Sequence, residues 1–390
     1  MSATALNLGF VPLVDAAPLI LADALGFAGE EGLNLTLSPA PSWSTLRDRL
    51  ATGQVDAAQM LAPVPVASAL GLTRSPARFE ALSVLNINGD VIGVSRDLAN
   101  RMRAAGYSFD FRDAAAAGRA LLAAAGPTLR IGVPFPFSMH MELVQYWLAG
   151  QHSVQLDIST VPPPRMAEAL AAGEIDAFCV GEPRGSVAVA TGAGELLLPG
   201  SAIWGFAPEK VLATRSGWAE ADPELAGRLM RAVWRAARWL GRPENHSVAS
   251  ELLAAPGRLD VPPELIERVL TGRLVINAAG DERDVPQFIE FHAGAAGFPW
   301  RSQAAWIGAR LAQRHGLQLL PAIQAARAVF RSDLYRLHLR RAGADLPGAS
   351  DKLEGSLSVP TAASSEQGRL ILPPNRFFDA RIFDPADPLR

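Results

Sequence analysis

Several polar and aromatic side chains stand at strand tips and helix starts, where they could face a cleft. Trp43 sits in PAPSWSTLRD, between the end of a strand pattern and a helix that begins near Ser44. The free backbone N–H groups of that helix start, with the Ser44 and Thr45 hydroxyls, make an anion cradle. The indole adds an N–H donor and a flat wall. The structural alternative is that Trp43 packs the loop against the fold and Ser44 is an N-cap. Gln59 follows Asp56 in VDAAQMLAPVP, at the carboxyl end of a strand. An amide there either faces a cleft or pins the Pro-rich turn that follows. His140 lies in PFPFSMHMELVQYWLAG, in the first turn of the helix after strand 129–133. The flanking Met139 and Met141 do not make a copper site with it, because neighbours one residue apart do not share a helix face. Glu182 and Arg184, in VGEPRG, occupy another strand-tip turn and either line a cleft or pair locally. Lys210, in WGFAPEKVLATRSG, lies in the segment returning to the first half of the chain, where it is either solvated or the partner of an anion. There is no Ser-His-Asp ordering, zinc spacing, phosphate loop or Gly-x-Gly-x-x-Gly after a strand. The residues suit binding without chemistry, with no metal and no cofactor.

The elements that position them come from a repeat. Residues 46–60 (LRDRLATGQVDAAQM) and 166–180 (MAEALAAGEIDAFCV) match at an offset of 120, through Leu50/Leu170, Gly53/Gly173, Val55/Ile175, Asp56/Asp176 and Ala57/Ala177. Each reads as a short helix closed by a left-handed Gly and followed by a buried strand that begins Asp-Ala. Upstream, Leu6-Asn-Leu-Gly9 echoes Leu129-Arg-Ile-Gly132. A strand–helix–strand–helix–strand unit has been used twice. Two such lobes imply an α/β fold with mainly parallel sheets and a ligand cleft between them. Strands are expected at 5–9, 33–37, 55–60, 82–87, 91–95, 129–133, 154–158 and 175–180, and helices at 16–26, 44–52, 138–149 and 166–172. Residues 98–126 read as Ala-rich helix. Beyond 204, helices are expected over 221–255 and 263–271, with two more over 302–345. The organisation read from this is lobe I over 1–93, lobe II over 94–204, a helical return on lobe I over 205–345, and a strap over 346–390.

Composition narrows the class. At 390 residues and 49% hydrophobic the chain can fill two cores. A net charge of −3 gives no footprint for nucleic acid or an anionic membrane. No apolar run approaches the ~20 residues that span a bilayer. MSATALNLGF has neither a basic nor an apolar leader segment, and the lone Cys179 lies within a strand, so a cytoplasmic location is expected.

Several motifs resemble the nitrate- and bicarbonate-binding proteins of ABC transporters. They are Gly-Phe-Val-Pro-Leu-x-Asp-Ala-Ala-Pro-Leu at 9–19, Ser-Trp-Ser at 42–44, Asp-Ala-Ala-Gln-Met-Leu-Ala-Pro at 56–63, Ser-Met-His at 138–140, Val-Gly-Glu-Pro at 180–183 and Pro-Glu-Lys-Val-Leu at 208–212. Phe-Pro-Trp-Arg-Ser at 298–302 and Phe-Asp-Pro-Ala-Asp-Pro at 383–388 extend the likeness over nearly the whole chain. The resemblance implies the type II periplasmic-binding-protein fold, two lobes closing on an oxyanion. It implies that Trp43, His140 and Lys210 surround the anion, with Ser138 and Glu182 lining the cleft, and that Lys210 favours nitrate or nitrite over bicarbonate. The family's glutamine after Asn-Gly is here Asp90. A carboxylate ~5 Å from nitrate costs about 3 kcal/mol at an effective dielectric near 20, so Asp90 is expected to pair with Lys210 or another cation, or to face away while Gln59 supplies the amide. With no leader, the chain looks most like the cytoplasmic NasS-type sensors, which hold an RNA-binding antiterminator of the NasT type until nitrate or nitrite binds. A transporter-associated binding protein is the alternative. A thiamin-pyrimidine-synthase-like enzyme is more remote, since only one cysteine is present.

Overall fold

Ten strands and one short edge strand make the two large sheets of the computed structural model, which describes residues 3–150 and 154–388. The ten are β1 (Thr4–Phe10), β2 (Leu33–Pro39), β3 (Ala57–Leu61), β4 (Phe79–Asn88), β5 (Asp90–Ser95), β6 (Thr128–Val133), β7 (Gln155–Thr160), β8 (Ala177–Gly181), β9 (Gly194–Pro199) and β10 (Pro208–Arg215). The first sheet runs β4-β10-β3-β1-β2, with the short strand Ile289–Glu290 on the outside of β4. The second runs β7-β6-β8-β5-β9. In each, three parallel strands from one copy of the repeat are joined by an antiparallel strand, β10 in the first and β5 in the second. Each sheet forms the centre of one lobe of a two-lobed α/β fold.

The repeated residues have a physical explanation. Leu46 and Val55 pack over Gly9 so closely that a Cβ there would strike Leu46. At Gly132 a Cβ would lie 2.8 Å from Ile175 and 3.0 Å from Met166, the counterparts of Val55 and Leu46. Glycine in the first strand of each copy therefore lets the second helix–strand pair seat on the sheet. Asp56 and Asp176 clamp the start of the third strand in each copy. The Asn7 N–H donates to Asp56 Oδ2 at 2.8 Å, and the Arg130 N–H to Asp176 Oδ2 at 3.0 Å. In return, the Asp56 and Asp176 N–H groups each donate to the Asn7 and Arg130 carbonyls at 2.8 Å.

The chain crosses between lobes at Asn88-Gly89-Asp90 and returns through residues 200–207. Asn88 ties the two crossings together. Its Nδ2 donates to the Gly205 carbonyl at 2.9 Å, and its Oδ1 accepts the Ala207 N–H at 3.1 Å. Asn88 sits at φ 57° and Gly89 at φ 95°, so the tight crossover uses the left-handed region that Asn tolerates and Gly favours.

Elsewhere the helices are more broken than the periodicity predicts. Residues 98–126 form two helices, Arg96–Ala104 and Ala114–Ala124, because Phe109 and Phe111 take positive φ and turn into the core between them. The 221–255 pattern is interrupted at Gly241-Arg242-Pro243, leaving Pro223–Leu240 and His246–Ala254 as its main helices. Proline cannot continue the hydrogen-bond ladder there. The two helices expected over 302–345 are three, Arg301–His315, Leu319–Val329 and Ser332–Leu339. Gly316 ends the first in the left-handed region, and Phe330 ends the second by bridging to Ala81 beside β4. The C-terminal segment reaches the second lobe. Phe377 is buried against Trp204 and Trp306, and Tyr146 Oη donates to Asp379 at 2.9 Å. Among the described residues no helix is long and apolar enough to cross a membrane.

Candidate anion site between the lobes

Lys210 is fully buried, and a buried ammonium is tolerated only when paired. Its Nζ lies 2.8 Å from Asp15 Oδ2 and 2.7 Å from Glu209 Oε1. Adjacent residues of a regular strand point to opposite faces. Here the register of β10 shifts between Pro208 and Val211, a bulge-like irregularity that turns Glu209 and Lys210 to one place. Burial lowers the tendency of Lys210 to hold its proton, but Asp15 and Glu209 outweigh it and the net shift is upward. The lysine is a cation. Two of its three N–H donors are taken by carboxylates, leaving one. Nζ also sits 5.4 Å from the centre of the Trp43 ring, a cation–π distance.

Asp15 is presented by the 3-10 turn Val14–Ala16 that follows β1. Gln59 holds it from β3: its Nε2 donates to Asp15 Oδ1 while its Oε1 accepts the Val11 N–H at 2.8 Å. The amide of Gln59 is thus committed within the first lobe, and the expectation that it would substitute for Asp90 at the anion does not match this geometry. Trp43 opens the helix Trp43–Ala51, whose N-cap is Ser42 and not Ser44: Ser42 Oγ accepts the Thr45 N–H at 3.2 Å. Ser44 is exposed, with its hydroxyl turned to Ser42, so it stands outside the buried cluster. The Trp43 ring lies inside it, and its Nε1 has no hydrogen-bond partner.

The second lobe contributes His140, Cys179 and Asp90. Ser138 is the N-cap of the helix Met139–Trp147, accepting the Met141 N–H at 3.1 Å and donating to the Phe135 carbonyl at 2.8 Å. It positions His140 and offers the cleft no free hydroxyl hydrogen. His140 is fully buried, and neither ring nitrogen has an aligned partner. Its Nδ1 approaches Glu209 Oε1 at 3.1 Å. This contact is not an ion pair, because burial and then the Lys210 charge hold the imidazole well below its usual pKa and hence neutral. Glu182, pushed up to about 7 by burial, accepts from the Ser186 N–H and hydroxyl at 3.0 and 3.1 Å and so faces its own helix. It does not pair with Arg184. Its backbone carbonyl accepts the Val14 N–H at 2.9 Å, which joins the lobes.

Asp90 is buried beside Cys179 and Gly200 and is not ion-paired. No Lys or Arg nitrogen approaches within ion-pair distance among the described residues. The Cys179 thiol donates to Oδ2 at 3.5 Å, and Oδ1 has no partner. Burial raises Asp90, and Lys210 only partly offsets this. Burial likewise raises Asp15, and Glu209 to about 8. Gly181 ends β8 where the lobes meet: a Cβ there would lie 3.3 Å from Asp15 Oδ2 and 3.8 Å from His140 Nε2.

The structure therefore gathers Trp43, His140, Lys210 and Asp90, keeps Gln59 and Ser138 as supports, and leaves Ser44 and the Glu182 carboxylate outside. Sequence reasoning passed over Asp15, Glu209 and Cys179. Two of these had signals: Asp15 stands in the strand-to-helix turn that corresponds to the one bearing His140, and Glu209 is next to Lys210. The unpartnered donors are the Trp43 indole, one Lys210 N–H and one imidazole nitrogen. They can hold a small oxyanion. Among the described residues of this cluster no side chain is placed as a nucleophile with a base to activate it.

The NMT1-like family matches residues 2–254. The chain is 31% identical over 393 residues to the nitrate import ATP-binding protein NrtC of Synechococcus elongatus, covering 98% of this chain and 54% of that protein. The chain thus spans about half the length of that relative. It is 30% identical over 400 residues to the nitrate/nitrite binding protein NrtA of the same species, covering 98% of this chain and 84% of NrtA. The crystal structure of the periplasmic nitrate-binding protein NrtA from Synechocystis superposes with a TM-score of 0.83 at 25% identity, over 99% of this chain and 97% of that one. With the fold and these likenesses together, the chain belongs to the NMT1-like family, among the nitrate- and bicarbonate-type substrate-binding proteins of ABC transporters.

Proposed function

We propose that this chain binds nitrate or nitrite between its lobes, without catalysis, as the substrate-binding part of an import system. The observation that carries the reading is Lys210, a buried ammonium with one donor to spare beneath an indole whose N–H is unpartnered. The names of the NrtA and NrtC relatives support the ligand class and the import setting. The test is thermal unfolding with added anions. Ligand at 100 times its dissociation constant adds about 2.7 kcal/mol of stability, so nitrate or nitrite should raise the midpoint by several degrees while bicarbonate at equal concentration does not. No response to either nitrogen oxyanion would sink the ligand class.

The finer sensor reading, with a cytoplasmic chain holding a NasT-type antiterminator, rests on motif resemblance, and the relatives' names favour the import role. Its physical basis is that closure on an anion reorients two rigid lobes, so a partner bridging them must be linked reciprocally to the ligand. Co-purification of the pair, followed by nitrate-induced release, would support it. A complex indifferent to nitrate, or no complex, would leave the import role alone.

A further inference from the structure

We propose that the anion is taken up together with one proton, held on Asp90, whose neutral carboxyl donates its O–H to the bound oxyanion. This rests on the nitrate or nitrite reading of the site. The argument begins with charge. Asp15, Glu209 and Asp90 surround one ammonium, and His140 is neutral. With all three carboxylates ionised the cluster carries two net negative charges before any anion enters. A monovalent anion would make three, in a fully buried cluster. Each added like-charge contact near 5 Å costs about 3 kcal/mol at an effective dielectric near 20. At least one carboxylate must therefore be neutral in the bound state.

Geometry selects Asp90. Asp15 and Glu209 each touch the Lys210 ammonium, at 2.8 and 2.7 Å, a contact that favours the ionised form and opposes the burial that raises both, Glu209 to about 8. Among the described residues Asp90 touches no cation, and its one side-chain donor is the Cys179 thiol on Oδ2. The groups facing it are Cys179 from β8, Asp15 from the turn after β1, and Glu209 and Lys210 from β10, with Gly200 packed directly against the carboxyl. Oδ1 is unpartnered, and an ionised oxygen left bare in such a place is costly. Protonated on Oδ1, Asp90 becomes a hydrogen-bond donor. A carboxylic acid kept neutral by its surroundings is a competent oxyanion donor. The upward push that burial gives Asp90 agrees with this assignment.

The test is calorimetry with sodium nitrate on the full chain between pH 6 and 9, repeated in phosphate and Tris buffers whose ionisation heats differ. Uptake of one proton predicts buffer-dependent heats that return a value near one. It also predicts an affinity that falls up to tenfold per pH unit above the pKa of Asp90 in the free protein. His140 protonation cannot account for a slope at pH 7 to 9, since its pKa lies well below that range, whereas Glu209, raised to about 8, titrates within it, so the proton is assigned to Asp90 only if Asp90→Asn abolishes the uptake. Asp90→Asn supplies a permanent donor without the charge, so at pH 8.5 it should bind nitrate at least tenfold more tightly than wild type, with a flattened pH profile. Measurable wild-type binding with no proton uptake and no pH dependence overturns this proposal and leaves the nitrate reading standing. Absence of nitrate binding at every pH overturns both.

Discussion

Asp56 and Asp176 hold the same place in the two lobes and clamp the neighbouring strand through the same pair of backbone hydrogen bonds. Three residues further along each strand the copies part. Gln59 is an amide that ties Asp15 to the first lobe, and its counterpart Cys179 is a thiol facing Asp90. Two residues on again, Leu61 fills the first lobe where Gly181 leaves room in the second for Asp15 and His140 to draw near each other. The residues that advertise the duplication are framework, because both copies need the same strand start and the same close packing over Gly9 and Gly132. The candidate anion site is assembled from what the copies do not share. Lys210 belongs to neither, and comes from the strand that returns after the second copy.

Making the second copy resemble the first should have the largest effect. Gly181→Leu puts a side chain between Asp15 and His140, where even a Cβ would sit 3.3 Å from one carboxylate oxygen. Nitrate affinity should fall more than about 100-fold, with overpacking costing about 1–3 kcal/mol of stability. Calorimetry and denaturant melts on the purified variant read both. A folded variant with unimpaired nitrate binding would place the anion elsewhere.

Breaking the framework should do the opposite, harming stability and sparing the ligand. Asp56→Ala removes the acceptor of one backbone N–H, a loss of about 1 kcal/mol. Asp176→Ala removes the same bond and also the Arg130 guanidinium, which donates at 3.0 and 2.6 Å. That ion pair is partly exposed and adds only a few tenths of a kcal/mol. Asp176 is the more costly loss of the two, by a small margin, and neither change should alter nitrate affinity by more than about twofold. The sign with pH follows from the Asp176 carboxyl. Burial would raise it, but Arg130 outweighs burial and holds it below its ordinary value. Its contribution is therefore present above that ordinary value and disappears as acid protonates the folded form, so the extra cost of Asp176→Ala should vanish in acid melts. A change in ligand affinity with unchanged stability would reverse the assignment of these residues to the framework.

Much of this was legible in the chain. The repeat at offset 120 pointed to two lobes with a cleft, and Gly53 and Gly173 do end their helices in the left-handed region. The strand-to-helix turn that bears His140 could be found from the pattern alone. What escaped was set by long-range packing. Phe109 and Phe111 break a helix because the core draws them in at positive φ, which no periodicity records. The strand β10 was read only as a crossing segment, since its burial depends on β3 and β4, both more than 100 residues away. Asp15 and Glu209 looked like ordinary acids because the ammonium that explains them lies 195 residues from the first and, by strand alternation, on the wrong side of the second. Asp90 departs from the family's motif in the sequence, but only the structure shows that it is buried beside Cys179 without a paired cation.

The smallest expected effect sharpens the same comparison from the other strand tip. Cys179 is fully buried, and burial followed by the nearby Asp90 raises its thiol well above the usual range, so it keeps its proton and acts as the donor to Asp90 Oδ2. Cys179→Ala loses a small buried volume and one weak hydrogen bond, about 1 kcal/mol together. Nitrate affinity near pH 6 should stay within about threefold of wild type, since the thiol does not reach the anion in this reading. With its donor gone, Asp90 has less reason to ionise, so the pH at which affinity begins to fall should move upward. The native thiol should resist alkylation until denaturant unfolds the protein, because a buried, protonated sulfur is a poor nucleophile. Rapid native alkylation together with loss of nitrate binding would instead make Cys179 a reactive part of the site, and the second strand tip would be functional in its own right where it is now a support for Asp90.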